Sequence, residues 1–327
     1  HIFNSLSVVI PVLSSTFASV GRFLKYAGNM SLGMLIIDES GQAVPQSALG
    51  AIYRTRQAVV VGDPLQVEPV ITIPKVLIDI LADSTCVANE YKVIENSVQT
   101  FADNINEFNG MIGERQVGCP LVVHRRCIEP MFSISNLISY DNRMFNKTNK
   151  KEEYLKPENL FLIKKSGWIN VEGEENGGKD HFVKNQAERV CQLMEDAVHI
   201  YSDLFGTDDK IFIITPFRTV AESMRKFVIS YFSVKGYDKE ILSKWTKNCV
   251  GTVHTFQGKD ANEVLLVLGC SNKSVGAMNW VVKKANILNV ACTRAKYRIA
   301  FIGNINDWKN RRYFREFIPS FIDIINV

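Results

Sequence analysis

The sequence predicts an α/β fold with mostly parallel sheets, in two parts. Three observations predict it. Short apolar runs recur without alternation, as strands buried on both faces of a parallel sheet require. Val8–Leu13, Met34–Ile37 and Ala58–Val61 form one set, and Ile211–Ile214, Val264–Leu268 and Ile299–Ile302 a second. Helix-period stretches lie between the runs, the alternation expected of α/β architecture. The stretch Asn146–Asn159, rich in Lys, Glu and Asn, reads as a linker or exposed loop, so the boundary is expected near residue 150, with domains at 1–149 and 150–327.

The helices can be read from their stripes. Ala187–Tyr201 carries Val190, Leu193, Met194 and Ala197 on one face, and Phe217–Phe232 carries Val220, Met224, Phe227 and Val228. Glu172–Asp180 reads as a flexible surface turn.

Composition narrows the class. Of 327 residues, 46% are hydrophobic and 22% charged, ordinary for a soluble globular protein and against extensive disorder. The longest apolar runs fall far short of the ~18 residues of a membrane-spanning helix, so no membrane partner is expected. No secretory signal opens the chain. It begins at His1 inside an apolar segment, from which a longer parent is expected. A net charge of +4 allows a nucleic-acid partner without demanding one. Seven cysteines without a CxxC pair argue for reduced thiols in a cytoplasmic protein (or a nuclear one in a eukaryote), and against a disulfide framework or a zinc site.

The chemistry gathers where apolar runs end. Met34-Leu35-Ile36-Ile37 stops at Asp38-Glu39, placing two carboxylates at the carboxyl edge of a sheet, where open α/β folds bind ligands. In a P-loop NTPase the first acid holds Mg²⁺ and its neighbour can activate water; otherwise the pair is a solvated turn. The next strand breaks at Gly62-Asp63-Pro64-Leu65-Gln66, a good turn in itself, where a glutamine amide could sense a γ-phosphate. His124-Arg125-Arg126 sets two guanidinium groups beside a stacking ring. Thr293-Arg294-Ala295-Lys296 puts an arginine inside a helical pattern just before a strand. Gly251–Asp260 mixes Gly, Thr, Gln and Lys ahead of a buried strand, suiting a loop against phosphate or nucleic acid.

In this order the segments resemble superfamily 1 helicases, the branch that includes the nonsense-mediated-decay helicase. The resemblance rests on IIDESGQA (36–43), VVVGDPLQVEP (60–69), VVHRRC (122–127), IITPFRTV (213–220), GTVHTFQGKDANEV (251–264) and NILNVACTRAKYRI (286–299). It implies two RecA-like P-loop NTPase-type domains, the first incomplete, hydrolysing Mg-ATP in a cleft to move along single-stranded DNA or RNA, 5′ to 3′. Asp38 would hold Mg²⁺ and Glu39 polarise the attacking water. Gln66 would link the γ-phosphate to the strand, with Arg125 and Arg294 contacting that phosphate. His124 would meet adenine, and Gly258 and Asp260 would lie at the nucleotide, Asp260 where the family's Glu contacts ribose. Ser15 and Thr16, with Thr215, Pro216, Phe217, Thr252 and His254, would hold the strand. Asn289 would lie in the helix that carries Arg294.

There are departures. His124 stands for the family's Tyr, Asp260 for its Glu, and Arg126 adjoins Arg125. No Gly-x-x-x-x-Gly-Lys-Ser/Thr string occurs, so an amino-terminal truncation is expected, with weak or absent ATP binding and poor turnover. The incomplete sheet would expose an apolar face or edge and favour self-association. The alternative is a P-loop-less, non-enzymatic nucleic-acid-binding scaffold, against which the retained acids, Gln66 and arginines argue. Another phosphate-transferring enzyme would not explain the Gln-Gly-Lys and Thr-Arg-Ala segments.

Overall fold

The computed structural model describes residues 2–88, 91–92, 94, 96–113, 115–148, 161–175, 177, 180–201, 203–256 and 258–325. The chain divides into two compact units: His1–Pro64 with Glu68–Met111 and Gln116–Cys119, and Leu65–Val67 with Ile112–Arg115 and Pro120–Val327. The boundary expected at 149/150 lies outside the described residues; residues 120–148 belong to the second unit.

In the first unit β1 (Leu32–Ile37) pairs in parallel with β2 (Thr55–Val60), Ile37 opposite Val60. The helix Pro45–Tyr53 makes the crossover and starts with proline at its first turn, where the missing N–H costs nothing. Ile37, Ala48 and Val98 form the small core. The expectation of strands buried on both faces fails here. Met34 is 57% and Ile36 67% exposed, because the two strands are covered from one side. An open hollow of about 1050 Å³ lies beside β2, lined by Ala48, Ile78, Val98 and Phe101.

Val8–Leu13 is not a strand. Ile2–Val9 is helical, Ile10 N donates to Leu6 O at 2.7 Å, and Val8, Val9 and Val12 are exposed. β-propensity expresses packing against neighbouring strands. Among the described residues none pairs with this segment, so local hydrogen bonds decide its shape.

The second unit follows the expectation. Its strands β3 (Val123–His124) and β4 (Phe145–Asn146) form a short parallel pair. The main sheet contains β5 (Gly167–Asn170), β6 (Ile211–Thr215), β7 (Val250–Thr252), β8 (Ala261–Val267), β9 (Ala295–Gly303) and β10 (Asp323–Ile324). Its order is β10-β5-β9-β8-β6-β7, parallel throughout. The central strands β6, β8 and β9 are almost wholly buried, as their unbroken apolar runs require. The helices Lys184–Ile200 and Arg218–Val234 bury the stripes read from sequence, including Val190, Met194, Val220, Met224 and Val228. The helix Lys239–Cys249 is capped by Asp238, whose carboxylate accepts from Glu240 N and Ile241 N. Among the described residues no helix is long and apolar enough to cross a membrane.

One charge is built into this core. Glu263 on β8 is fully buried and accepts from Tyr201 Oη (2.5 Å), Ile163 N (2.6 Å) and Leu162 N (2.8 Å). These three donors and Arg298 favour the carboxylate, but burial outweighs them and raises its pKa from 4.5 to about 7. The folded state therefore binds this proton more tightly than the unfolded chain does. Its contribution to stability is complete below about pH 4.5 and is lost as the pH rises to about 7. Thermal unfolding of wild type and Glu263→Gln across that window should show it. The pH-dependent part specific to wild type should amount to on the order of 3 kcal/mol, and parallel profiles for the two proteins would refute the assignment.

Candidate nucleotide and nucleic-acid site

In the first unit the acid pair sits just beyond β1, on the exposed carboxyl edge. Asp38 Oδ1 accepts from Glu39 N at 2.9 Å, and Glu39 Oε2 from Gln42 Nε2 at 2.9 Å. Glu39 has a left-handed backbone (φ 52°), a conformation that non-glycine residues hold only when their surroundings impose it. What imposes it lies next door. Ser40 is fully buried, its N–H donates to Val61 O at 3.0 Å and its hydroxyl to Gln99 Oε1 at 2.6 Å. Gln99 Nε2 in turn donates to Asp103, which also accepts from Gly118 N.

The two strand ends interlock through glycine. A Cβ on Gly62 would lie 2.6 Å from Ser40 Oγ and 2.8 Å from Ser40 N, and one on Gly41 would lie 2.9 Å from Asp63 O. The glycines of DESG and GDP are thus requirements of close approach. Ser15 and Thr16 are exposed just before the helix Phe17–Phe23, with Thr16 Oγ1 donating to Ser19 Oγ at 3.2 Å.

In the second unit the helix Asn286–Arg294 is the organiser, with Leu288 through Arg294 all buried. Arg294 Nη2 donates to Gln66 Oε1 at 3.0 Å, and Nη1 to Lys259 O at 3.0 Å and Phe256 O at 3.3 Å. Gln66 and Arg294 are thereby brought together, although 228 positions separate them. Asn289, also fully buried, donates to Leu65 O (2.9 Å) and Tyr140 Oη (3.1 Å) and accepts from Ser135 Oγ (2.6 Å).

Asp260 is paired with Lys296 at 2.7 Å. Gly258 is exposed with φ +73°, and Gln257 lies outside the described residues. Arg125 is exposed and Arg126 less so. His124 Nε2 accepts from Cys127 N at 2.9 Å and its ring packs on Phe132, centroids 5.3 Å apart. The imidazole thus braces its own turn. Thr215 and Thr252 are register partners at the ends of β6 and β7. Thr215 and Pro216 are buried, Phe217 and Thr252 half-buried, and His254 exposed.

The turn expected to be free at Glu172–Asp180 is fastened at Glu175, which accepts from Ser271 N (2.7 Å) and Ser274 Oγ (2.9 Å). Burial raises the Glu175 pKa, but these bonds and His181 outweigh it and hold the carboxyl below its usual range. The donor atoms of Glu175, His181 and Cys270 lie within 4.8 Å of one another, a cluster that sequence spacing hides. Asn176, Gly178 and Lys179 lie outside the described residues.

A family model described as an AAA domain matches residues 105–306, and a second of the same description matches residues 2–73. The chain belongs to this AAA-domain family of superfamily 1 helicases. It is 23% identical to an uncharacterized ATP-dependent helicase of Methanocaldococcus jannaschii, over 97% of this chain and 42% of that one. It is 22% identical to the probable helicase senataxin of Mus musculus, over 97% of this chain and 11% of that one. With regulator of nonsense transcripts 1 of Caenorhabditis elegans it shares 25% identity, over 83% of this chain and 23% of that one. The chain thus spans less than half the length of these relatives. Among solved structures it is similar to an arterivirus nonstructural protein 10 helicase complexed with DNA, at 12% identity and a TM-score of 0.39, over 87% of this chain and 42% of that one.

Two substitutions test the scaffold. Gly62→Ala drives a methyl group against backbone that cannot yield, so denaturant unfolding should lose ~1–3 kcal/mol; an unchanged midpoint would mean the strand ends are not interlocked. Asn289→Ala breaks its hydrogen bonds with Ser135, Tyr140 and the Leu65 carbonyl and should also cost about 1–3 kcal/mol, read as a lowered melting temperature.

Proposed function

We propose that this chain is the site-bearing part of an ATP-dependent motor that moves along single-stranded nucleic acid, 5′ to 3′. The observation that carries the reading is the Arg294–Gln66 pair. A glutamine following one strand end and an arginine from a helix of the second unit meet at 3.0 Å, as a γ-phosphate sensor would need. Here the guanidinium rests on neutral oxygens. A phosphate oxygen offers a charge-assisted bond about twice as strong, so Arg294 would exchange Gln66 for the nucleotide. Gln66, released or recaptured, would report the nucleotide's state to the strand site.

The exposed acid pair fits a hard cation. Among the described residues Asp38 has one oxygen engaged by Glu39 N and a second open to ligate, and one or two carboxylates beside substrate phosphates are a usual magnesium environment. Mg²⁺ held there would neutralise phosphate charge. Glu39, steadied by Gln42, would orient and deprotonate water, and Arg125 would add a second positive charge at the γ-phosphate. Asp260 and Gly258 would flank the nucleotide. Ser15, Thr16, Thr215, Pro216, Phe217, Thr252 and His254 would contact the strand. The exposed apolar face of β1–β2 supports self-association of this chain.

The test is ATP hydrolysis by this chain with and without single-stranded DNA and RNA, beside Glu39→Gln. Slow turnover is expected, since the sequence lacks the Gly-Lys-Ser/Thr phosphate cradle. Added strand should raise it, and Glu39→Gln should lower it by about 10²–10⁴. Turnover indifferent to both would overturn the reading in favour of a binding scaffold.

A further inference from the structure

We infer that Trp280, backed by Phe217 and His181, is a stacking platform for an unpaired nucleobase, which extends the strand-binding face past the Thr215–Phe217 segment. The inference rests on the reading that the chain binds single strands.

Four tryptophans occur in the chain. Trp168, Trp245 and Trp308 are at most 1% exposed, whereas Trp280 is 53% exposed. Its helix, Val275–Val281, buries Met278 and Val281, which turns the indole outward. The indole is not isolated. Its centroid lies 5.8 Å from that of Phe217 at 35°, and Phe217 lies 4.8 Å from His181 at 48°. Three rings therefore run in a row from the half-buried His181 to the open Trp280. The row is held at its inner end and its middle. Glu175 holds His181 Nδ1 at 3.2 Å, and Phe217 is the residue at which the helix Arg218–Val234 starts, one proline after β6.

Charge selects the occupant. No acidic residue occurs between Glu263 and Asp307 in the sequence, whereas Lys273, Lys283 and Lys284 are exposed a few positions from Trp280 in the chain. Lys273 is held by Glu174 at 2.7 Å. An exposed indole with lysines close by in the chain offers a base its π-surface and the neighbouring phosphates their counter-charge, the combination that sequence-tolerant strand binding uses. An apolar protein partner would want a wide apolar surround, and here exposed Val275 and Gly276 share the indole's neighbourhood in the chain with exposed Asn279, Lys283 and Lys284.

The other tryptophans are buried, so fluorescence quenching by a strand reports on Trp280. We would titrate the chain with a single-stranded oligonucleotide of about 12 nucleotides, within known footprints, and with an abasic strand of equal length. The base-bearing strand should quench the emission and the abasic strand should not. Trp280→Ala should weaken binding of the base-bearing strand by roughly 5- to 150-fold and leave the abasic strand unaffected, and Trp280→Phe should restore most of the affinity. Equal binding by wild type and Trp280→Ala, without quenching, would remove the platform and leave the nucleic-acid reading intact. Failure of wild type to bind either strand would remove both. A change in sedimentation with Trp280→Ala but none in strand affinity would make the indole a protein contact and overturn the proposal.

Discussion

Two hydrogen bonds from one buried helix govern what the rest of this site can do. Asn289 fixes the carbonyl of Leu65, and Arg294 fixes the amide of Gln66. Between them they fasten three residues, Leu65–Val67, to the second unit, and Val67 completes the attachment by entering its core. Without that attachment Gln66 would lie at the end of an exposed turn. Because Asn289 also ties Ser135 and Tyr140, removing it would break three hydrogen bonds at once, one of them from the buried hydroxyl of Ser135, which is costlier than losing any single bond.

The acid pair depends on a different constraint, steric rather than polar. Gly41 and Gly62 allow two strand ends to approach closer than any side chain permits, and the buried hydroxyl of Ser40 occupies the space between. Glu39 accepts a left-handed backbone as a result. The carboxylates are thus displayed at the surface by groups that are themselves inaccessible.

How much of this the sequence disclosed follows from the range of the forces involved. The main sheet was legible because β6, β8 and β9 are buried on both sides, and their composition says so. The two long helices were legible from their stripes. Asp38, Glu39, Gln66 and Arg294 were picked out by position at element ends. Three things were hidden. The segment Val8–Leu13 has strand composition but no strand to pair with among the described residues, and so it coils locally. The Glu263 pocket depends on Tyr201 and on two amides about 100 positions away, a meeting no local pattern announces. Asn289 stood out only as part of a motif, since a buried asparagine and an exposed one read alike. A polar residue inside the otherwise apolar run Leu288–Cys292 was the one available hint.

The attachment of Leu65–Val67 also has a kinetic side. Its bonds join positions 224 and 228 residues apart, and non-local contacts of this kind slow folding. The buried side chains of Val67, Asn289 and Arg294 then hold the closed arrangement. Gln66 therefore sits on a segment held by groups distant in the chain. A substitution in the helix Asn286–Arg294 is thus felt at a glutamine more than two hundred positions away.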